Sequence, residues 1–432
     1  MFEALEKRLK RQVIGKPHRF LAIAPLGFEE SLAGELTQIG IEQPQVLSDG
    51  KVEFSAKITE AWKAVAFSRI ANRILMHIAD FKAENFREFE KKSAEVPWEL
   101  YLQCHPERSN VGCEVEGSLD IHVTCKHSRL YHSDAIAERL QKVLSECHSD
   151  IGQNQHPSSE QHLYVSFLDD RCTIWLDLAG EELYKRGHER FVNDAPLKET
   201  IAAGMLFEAM KFNHCASVTV FDLMAGSGTF SLEAAYTANK LIPGTCRDFA
   251  LKHQPAFKEA TWNFILKQAA GTPLKIITSD ISERAVKIIK HNVECSPLAN
   301  IAPAPIEPEQ KDFFSYTAQE IANACPGDTA PIIVLNPPYG KRLDFDAPKL
   351  YTNIGRRLAE LARPLSTHKA QGKPLTVAIL APKDDSRPGS KYTCTTNLLR
   401  ECPALSPQNN PKAKQIITSH GGLTLNVFIA KI

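Results

Sequence analysis

The sequence predicts an α/β protein with a doubly wound, Rossmann-like parallel sheet in its C-terminal part and smaller α+β units before it. From about residue 183, short buried apolar runs alternate with helical segments, as in parallel strands joined by helices. Before that point the segments are short and several are joined as hairpins. The last 19 residues read as a hairpin that turns at Gly421-Gly422, which adds an antiparallel edge to the parallel sheet.

The composition excludes several classes of protein. The chain has 432 residues, of which 43% are hydrophobic and 24% charged, so a disordered or low-complexity protein is excluded. Basic and acidic residues balance at 51 each, so any nucleic-acid binding must use local patches. No apolar run reaches the roughly 18 residues of a membrane span, and the first residues lack the apolar core of a secretory signal. Eleven cysteines without a CxxC pair predict reduced thiols and a cytoplasmic protein.

The first three predicted units end near residue 182. Residues 1–19 carry six basic and two acidic residues with apolar positions at helical spacing, which predicts a basic helix that packs on the next unit or, alternatively, reaches RNA. Residues 20–82 predict strand, helix, hairpin, helix and strand, with Gly40 ending the first helix and Asp49-Gly50 in the hairpin turn. Residues 83–182 predict a helix broken by Pro97, then a loop, strand and helix, and finally a hairpin that turns at Asp169-Asp170.

Residues 183–432 predict the large sheet. We expect helices at 197–212, 229–241, 282–294 and 351–365, and strands at 217–226, 274–280, 331–338 and 375–382. Residues 242–273 interrupt the alternation and are interpreted as an insertion.

Three polar signals follow successive strands of this sheet. Gly226-Ser227-Gly228 lies where a strand passes into a helix, so its backbone could approach a ligand, although a simple tight turn explains many such matches. Asp280 ends the next strand and could accept hydrogen bonds from ribose hydroxyls, or could equally be a helix N-cap. Asp312, in a Lys-Asp-Phe-Phe cluster, could contact an adenine amino group or belong to an exposed turn.

The fourth signal, Asn336-Pro337-Pro338-Tyr339-Gly340, decides between these alternatives. It follows an apolar strand, and two consecutive prolines make a rigid turn without N–H donors. The side-chain oxygen of Asn336 and the Pro337 carbonyl are two neighbouring acceptors, which suits an exocyclic NH2 group. Tyr339 offers a flat face on which a base could stack, a contact worth about 1–3 kcal/mol.

These motifs resemble those of class I S-adenosylmethionine-dependent methyltransferases that act on amino nitrogens. The segment 183–206 is similar to the linker of one subgroup, and residues 128–140 resemble the helix start of a THUMP domain, an RNA-binding module. Together they resemble the THUMP-containing guanine-N2 RNA methyltransferases, above all the bacterial enzymes that modify 23S rRNA. The resemblance covers about residues 20–432, and it implies a ferredoxin-like unit at 20–82, a THUMP domain at 83–182 and a methyltransferase domain at 183–432. We expect no second methyltransferase module like that fused to some proteobacterial relatives.

The resemblance also implies roles for individual residues. Asn336, Pro337 and Tyr339 would be catalytic, with no metal required. The residues implied in binding S-adenosylmethionine are Asp222, Ala225, Gly226, Gly228, Asp280, Asp312 and Asn336. Asp222 would orient either the glycine turn or the amino group of the cofactor. Candidates for phosphate contacts are Arg186, Arg190, Lys341 and Arg342. Two departures, His188 for the usual Tyr and Lys341-Arg342 for Glu-Arg, concern substrate contacts.

A metal site is not predicted. The cysteines and histidines between residues 104 and 132 match no zinc spacing, and on the predicted strand His122 and Cys125 face opposite sides. These candidates are Cys104, His105, Cys113, His122, Cys125, His127 and His132.

Four hypotheses of function therefore remain. The first is a 23S rRNA guanine-N2 methyltransferase, and a tRNA guanine-N2 enzyme is its close alternative. An adenine-N6 methyltransferase would use the same two acceptors, although the THUMP-like half argues against a DNA substrate. A non-catalytic RNA-binding protein is the fourth, and the complete set of motifs argues against it.

Overall fold

The computed structural model describes most of the chain. The described residues are 2–102, 104–106, 119–149, 155–157, 161–192, 196–213, 217–272, 274–325, 329–339, 346–367, 374–385, 387 and 393–432. Among them, no helix is both long enough and apolar enough to cross a membrane.

The N-terminal part is built on one seven-stranded sheet with the order β2-β3-β1-β4-β9-β8-β6. The strands of this part, including the separate pair β5 and β7, are β1 (His18–Ile23), β2 (Gln45–Val46), β3 (Lys51–Ala56), β4 (Arg73–Lys82), β5 (Cys104–Pro106), β6 (Asp120–Lys126), β7 (Gln155–Pro157), β8 (His162–Leu168) and β9 (Arg171–Asp177). The helices are α1 (Phe2–Leu9), α2 (Glu29–Ile39), α3 (Ile58–Phe67), α4 (Phe86–Ala94) and α5 (Ser133–Ser149).

Local sequence signals explain most of these boundaries. Gly40 ends α2 in the left-handed conformation, with φ +99°, and its N–H donates to the carbonyls of Leu36 and Thr37. Asp169 and Asp170 have φ of 48° and 61°, as the two-residue hairpin between β8 and β9 requires. The predicted basic helix is present as α1. It packs on the rest of the N-terminal part, because Val13 just beyond it is buried and Arg8 pairs with Glu99 at 2.6 Å.

The predicted ferredoxin-like and THUMP units share this one sheet. Strand β4 pairs with β1 on one side and with β9 on the other, both antiparallel. The two units are therefore joined by backbone hydrogen bonds as well as by the chain.

The C-terminal part contains a second seven-stranded sheet with the order β12-β11-β10-β13-β14-β16-β15. Its strands are β10 (Ser217–Asp222), β11 (Leu274–Asp280), β12 (Glu309–Gln310), β13 (Thr329–Leu335), β14 (Thr376–Pro382), β15 (Lys414–His420) and β16 (Leu423–Lys431). Its helices are α6 (Glu199–Lys211), α7 (Thr229–Ala238), α8 (Glu259–Leu266), α9 (Glu283–Glu294), α10 (Ala318–Ala324), α11 (Ala347–Thr367) and α12 (Cys394–Glu401).

The prediction of a doubly wound sheet with an antiparallel edge is confirmed. Strands β10 to β14 run parallel, whereas β16 pairs antiparallel with both β14 and β15. All residues of β13 and β14 are buried, because helices cover both faces of the sheet. Val220 and Ile332 belong to a core shared with α6 and α7, and Phe221 and Ile333 belong to a core shared with α11 and α12.

A continuous core also joins the two parts of the molecule. The ring of Phe28 fills the space beside Gly204 in α6, where an added Cβ would lie 2.5 Å from the ring. The hydroxyl of Ser31 donates to Glu208 at 2.7 Å. In the predicted insertion, Phe257 packs its ring 5.6 Å from that of Trp62 in α3. The second sheet is therefore anchored to the N-terminal part through α6 and the predicted insertion.

Candidate active site

The register of the second sheet brings the predicted polar residues together. Asp222 at the end of β10 is aligned with Thr278 of β11 and with Val334 of β13. Asp280 and Asn336 each lie two residues beyond those partners, so they flank the turn that follows β10. The chain order reverses between β10 and β13, which is where open α/β sheets bind their ligands.

A cavity of about 590 Å³ opens at this edge, within the size range of small-molecule sites. Most of the predicted site residues line it. They are Ala225, Gly226, Asp280, Asp312, Asn336, Pro337 and Tyr339. The same cavity therefore contains the residues implied in cofactor binding and those implied in catalysis.

The glycine turn is held open toward this cavity. Gly226 has φ +58°, and an added Cβ would meet no atom within 4 Å. Its N–H donates to Asp280 Oδ2 at 2.8 Å, and the other oxygen of Asp280 accepts from the N–H of Ser282 at 2.9 Å. Gly228 has φ +79°, and its Cβ position lies 3.1 Å from the Ile289 side chain. Gly226 thus leaves space for a ligand, whereas Gly228 allows close packing of the turn on α9.

Asp222 lies beneath the turn, outside the cavity lining. Its Oδ2 accepts hydrogen bonds from the N–H of Ser231 at 3.1 Å and from the hydroxyl of Ser231 at 2.7 Å. Burial raises the pKa of Asp222 to about 7. Of the two roles considered for this residue, the geometry favours orienting the turn and the start of α7.

Asp312 lies two residues after β12, the strand at one edge of this sheet. Its Oδ1 accepts from the N–H of Phe314 at 3.0 Å, which caps a short helical turn. Two apolar residues that were not among the predicted site residues, Ile281 and Phe314, also line the cavity, and Ile281 is 66% exposed. The sequence contained a signal for both, because Ile281 directly follows Asp280 and Phe314 lies two residues after Asp312.

Asn336 lines the cavity and carries a side-chain acceptor. Its Oδ1 is buried and has no hydrogen-bond partner within the described part of the chain. Pro337 next to it is buried, and Tyr339 is nearly so, with its hydroxyl 3.5 Å from Nδ1 of His420. Gly340, the last residue of the motif, lies outside the described residues. A buried oxygen without a partner is unfavourable, so it calls for a donor from a ligand.

The linker segment supports the glycine turn, a role that the sequence did not reveal. Arg190 donates to the hydroxyls of Ser227 and Thr229 and pairs with Glu199. The Nδ2 of Asn292 donates to the carbonyls of Phe191 and Ser227, at 2.9 and 3.0 Å. Resemblance had identified this segment, but only the structure places it against the turn.

The prediction that Arg186 and Arg190 contact phosphate is not supported by their surroundings. Arg186 is 5% exposed, and its Nε and Nη2 donate to the two oxygens of Glu233 at 3.0 and 3.1 Å. Arg190 is largely buried and already paired with Glu199. Burial and carboxylate partners leave neither guanidinium available to RNA. Lys341 and Arg342 lie outside the described residues.

His188, one of the two departures from the subgroup, contacts the same helix as Arg186. Its Nε2 lies 3.1 Å from the hydroxyl of Tyr236, and burial lowers its pKa. It therefore packs inside the protein in this structure.

Comparison with protein families gives one match in each part of the chain. Residues 186–370 match the RMKL-like methyltransferase domain (UPF0020), and residues 19–75 match the RlmL ferredoxin-like domain. The chain carries a methyltransferase domain of the RMKL-like type. The residues that line the cavity at the end of β10 lie within this methyltransferase domain, and β3 and all of β1 except His18 lie within the ferredoxin-like match.

Similar proteins agree with this assignment. The ribosomal RNA large subunit methyltransferase K/L of Allochromatium vinosum is 31% identical over 358 residues, which are 79% of this chain and 46% of that protein. The chain thus spans about half the length of this relative. YpsC of Bacillus subtilis is 28% identical over 82% of this chain and 86% of its own length. The crystal structure of SMU.472 complexed with SAH shares the fold, with a TM-score of 0.71 and 22% identity, over 96% of this chain and 98% of that chain.

Proposed function

We propose that this protein transfers a methyl group from S-adenosylmethionine to the exocyclic N2 of a guanine in RNA, with 23S rRNA as the substrate. The observation that carries this proposal is the buried Oδ1 of Asn336, which lines the cavity without a partner among the described residues. An amine with two protons is a donor that would satisfy this oxygen and the neighbouring Pro337 carbonyl together.

The residues of the cavity suit the proposed cofactor. The Cβ-free surface of Gly226 leaves room for the methionine moiety, and Asp280 and Asp312 offer carboxylates for ribose hydroxyls and an adenine amino group. Ile281 and Phe314 provide apolar contacts for the adenine ring. When bound, S-adenosylmethionine supplies a methyl group on a positively charged sulfonium. The SAH in the structure of SMU.472, which shares this fold, supports the assignment.

In the proposed reaction the protein acts mainly by positioning the amine of the base. The lone pair of an aryl amine is delocalised into the ring, so the amine is a weak nucleophile. Acceptors on both of its N–H groups favour a pyramidal nitrogen and aim the lone pair away from the ring. Asn336 and Pro337 are assigned this role, and preorganised groups of this kind account for much of enzymatic rate enhancement.

Access to the base requires an RNA-binding unit and an extruded nucleotide. A guanine inside a duplex cannot reach the cavity, so it must be flipped or taken from a single strand, and Tyr339 would replace its lost stacking. We assign RNA binding to the THUMP domain at residues 83–182. In this division the ferredoxin-like unit is residues 20–82 and the methyltransferase domain residues 183–432.

The names of similar proteins support an RNA substrate. The Allochromatium relative is named for methylation of large-subunit ribosomal RNA, and the name of YpsC proposes RNA methyltransferase activity. The guanine N2 position rests on the Asn-Pro-Pro-Tyr chemistry and on the resemblance described above.

Transfer of labelled methyl groups to separated 23S, 16S and tRNA fractions tests the proposal. The RNA should come from cells that lack the gene, and the product should be digested and its nucleosides identified by mass. We expect N2-methylguanosine in the 23S fraction. The same nucleoside in tRNA would refute the rRNA assignment and keep the chemistry. N6-methyladenosine in any fraction, or no product from a protein that binds the cofactor, would refute the guanine-N2 proposal.

A further inference from the structure

Three side chains meet at the edge of the N-terminal sheet, far in sequence from the methyltransferase motifs. Asp120 and His122 are two residues apart in β6, so they point to the same face of the sheet. Strand β8 runs parallel to β6, with Asp120 aligned with His162. The pairing of these strands therefore brings one carboxylate and two imidazoles together on a rigid framework.

The distances between the possible ligand atoms are short. Oδ2 of Asp120 lies 3.1 Å from Nδ1 of His162 and 3.3 Å from Nε2 of His122, and all three ligand atoms lie within 4.8 Å of one another. Zinc–nitrogen and zinc–oxygen bonds of about 2.0–2.2 Å place tetrahedral ligands about 3.4 Å apart. Two of the three separations are already close to that value. Among the described residues, this is the only such group of three.

The surroundings of the imidazoles favour metal binding. The side chain of His162 is 20% exposed, so neighbouring groups surround most of it. The ring of His122 stacks on Tyr164 with 4.7 Å between ring centroids, and it lies nearly parallel to the ring of His162 at 5.8 Å. Packing against neighbouring side chains limits the orientations of a ligand, as at known metal sites.

We propose that Asp120, His122 and His162 bind one Zn²⁺ ion, with water at the fourth position. Two imidazoles and a carboxylate are borderline ligands that suit Zn²⁺ better than Mg²⁺ or Ca²⁺. The ion would link β6, the edge strand of the sheet, to β8, so it would stabilise the folded state by mass action. The site is independent of the proposed methyl transfer.

The sequence alone did not reveal this group. The spacing of cysteines and histidines predicted no zinc site, and the structure confirms that His122 and Cys125 occupy opposite faces of β6. The two ligands that complete the set, Asp120 and His162, are 42 residues apart in the chain. Cys113 lies outside the described residues.

Zinc titration of the chelator-treated 432-residue chain, followed by calorimetry, tests the proposal. Because the chain has eleven cysteines, the informative quantity is the difference between variants. We expect His162→Gln and Asp120→Asn to lose one equivalent of bound Zn²⁺ and the accompanying rise in melting temperature. His132→Gln, which changes an exposed histidine outside the group, should retain both.

Substitution with Co²⁺ supplies a second readout. We expect visible absorption bands of four-coordinate Co²⁺ with nitrogen and oxygen ligands, and their loss in His162→Gln. Equal zinc stoichiometry in the wild type and both variants would overturn the proposal, as would a wild type that binds no Zn²⁺. If His162→Gln does not fold, Asp120→Asn decides the matter, because the Asp120 side chain is 53% exposed and its replacement is nearly isosteric.

Discussion

Asn336 is the residue on which the proposed chemistry depends most. Asn336 lines the cavity, and its buried Oδ1 has no partner among the described residues. The resemblance implies a cofactor contact for Asn336 too, but most of the cofactor contacts are assigned to the turn after β10 and to Asp280 and Asp312. This separation makes catalysis and cofactor binding distinguishable by mutation.

Replacement of Asn336 should therefore affect the rate and not the cofactor. We expect Asn336→Ala to lower kcat about 10²- to 10³-fold, the range seen when one preorganised polar group is removed from an active site. The dissociation constant for S-adenosylmethionine, measured by calorimetry, should change less than threefold by our estimate, roughly 0.6 kcal/mol. A parallel loss of cofactor binding and rate would refute the role assigned to Asn336.

Asp222 should make the stability of the protein depend on pH. Its pKa is about 7 in the folded protein and close to the ordinary value of 3.8 when unfolded. Between these values the folded state binds more protons than the unfolded state, so stability falls as pH rises, and the fall ends above the folded pKa.

Comparison with Asp222→Asn isolates this contribution from other groups. Asp177, whose pKa burial raises to about 6, titrates in the same range and is common to both proteins. Between about pH 5 and pH 7, the wild type should lose roughly 2–3 kcal/mol of unfolding free energy relative to the variant. Urea denaturation at several pH values measures this difference. A difference that stays constant, or that favours the wild type as pH rises, would contradict the pKa.

At the scale of elements, the turn between β10 and α7 contains a left-handed glycine that also lines the proposed cofactor site. Gly226 has φ +58° and faces the cavity. Gly421, in the hairpin between β15 and β16, has φ +57° and equally open surroundings, with nothing within 4 Å of a Cβ. The two glycines therefore provide a matched pair for mutation.

Alanine at either position should have a similar effect on stability and a different effect on binding. Each variant places an L-residue in the left-handed region, which costs about 1–2 kcal/mol. Only Gly226→Ala puts a methyl group into the proposed cofactor site, so its affinity for S-adenosylmethionine should fall at least tenfold, or about 1.4 kcal/mol. Gly421→Ala should bind as the wild type does. Calorimetry and thermal melting measure both effects, and unchanged affinity of Gly226→Ala would place the cofactor elsewhere.

At the scale of the whole molecule, contacts of Arg69 with a buried ion pair link the N-terminal part to the methyltransferase domain. Arg186 in the linker pairs with Glu233 of α7, and its Nη2 also donates to the carbonyl of Arg69 at 2.9 Å. Arg69 itself lies 3.7 Å from Glu233. This arrangement connects the first residues of the methyltransferase domain, the helix after the glycine turn and the ferredoxin-like unit to one another.

Removing one partner of this pair should be strongly destabilising. Arg186→Met leaves the Glu233 carboxylate buried without its main counterion, which costs roughly 3–5 kcal/mol. The neighbouring pair of Lys185 and Glu181, 2.9 Å apart, is exposed, so Lys185→Met should cost less than about 1 kcal/mol. Denaturation of the two variants compares them directly, and similar stabilities would contradict the structural role of Arg186.

Much of the methyltransferase fold could be predicted because its signals are local. The alternation of buried strands with helices, the Gly421-Gly422 turn and the glycine turn after β10 are each encoded within about ten residues. Parallel strands place their carboxyl ends at one edge. Asp280, Asp312 and Asn336 could therefore be expected to meet from the sequence alone, and the structure places them around one cavity.

What depended on distant contacts could not be read from the sequence. Arg186 had the same local appearance as a surface arginine, and its burial depends on Glu233 and Arg69, which are 47 and 117 residues away. The pairing of β4 with β9 merges two predicted units into one sheet through residues that are 89 to 102 positions apart in the chain. The meeting of Asp120 with His162 depends on strand register in the same way.

The sequence by itself thus determined the class of the C-terminal fold and the identity of the residues at the carboxyl ends of its strands. Hydrophobic periodicity and turn chemistry act over a few residues and are visible in the chain. Only the tertiary structure decided that Arg186 is buried and that Asp222 orients the glycine turn. It also decided that Asp120, His122 and His162 meet. Those properties arise from the packing of segments that are distant in sequence, because burial and pairing depend on neighbours that local patterns do not specify.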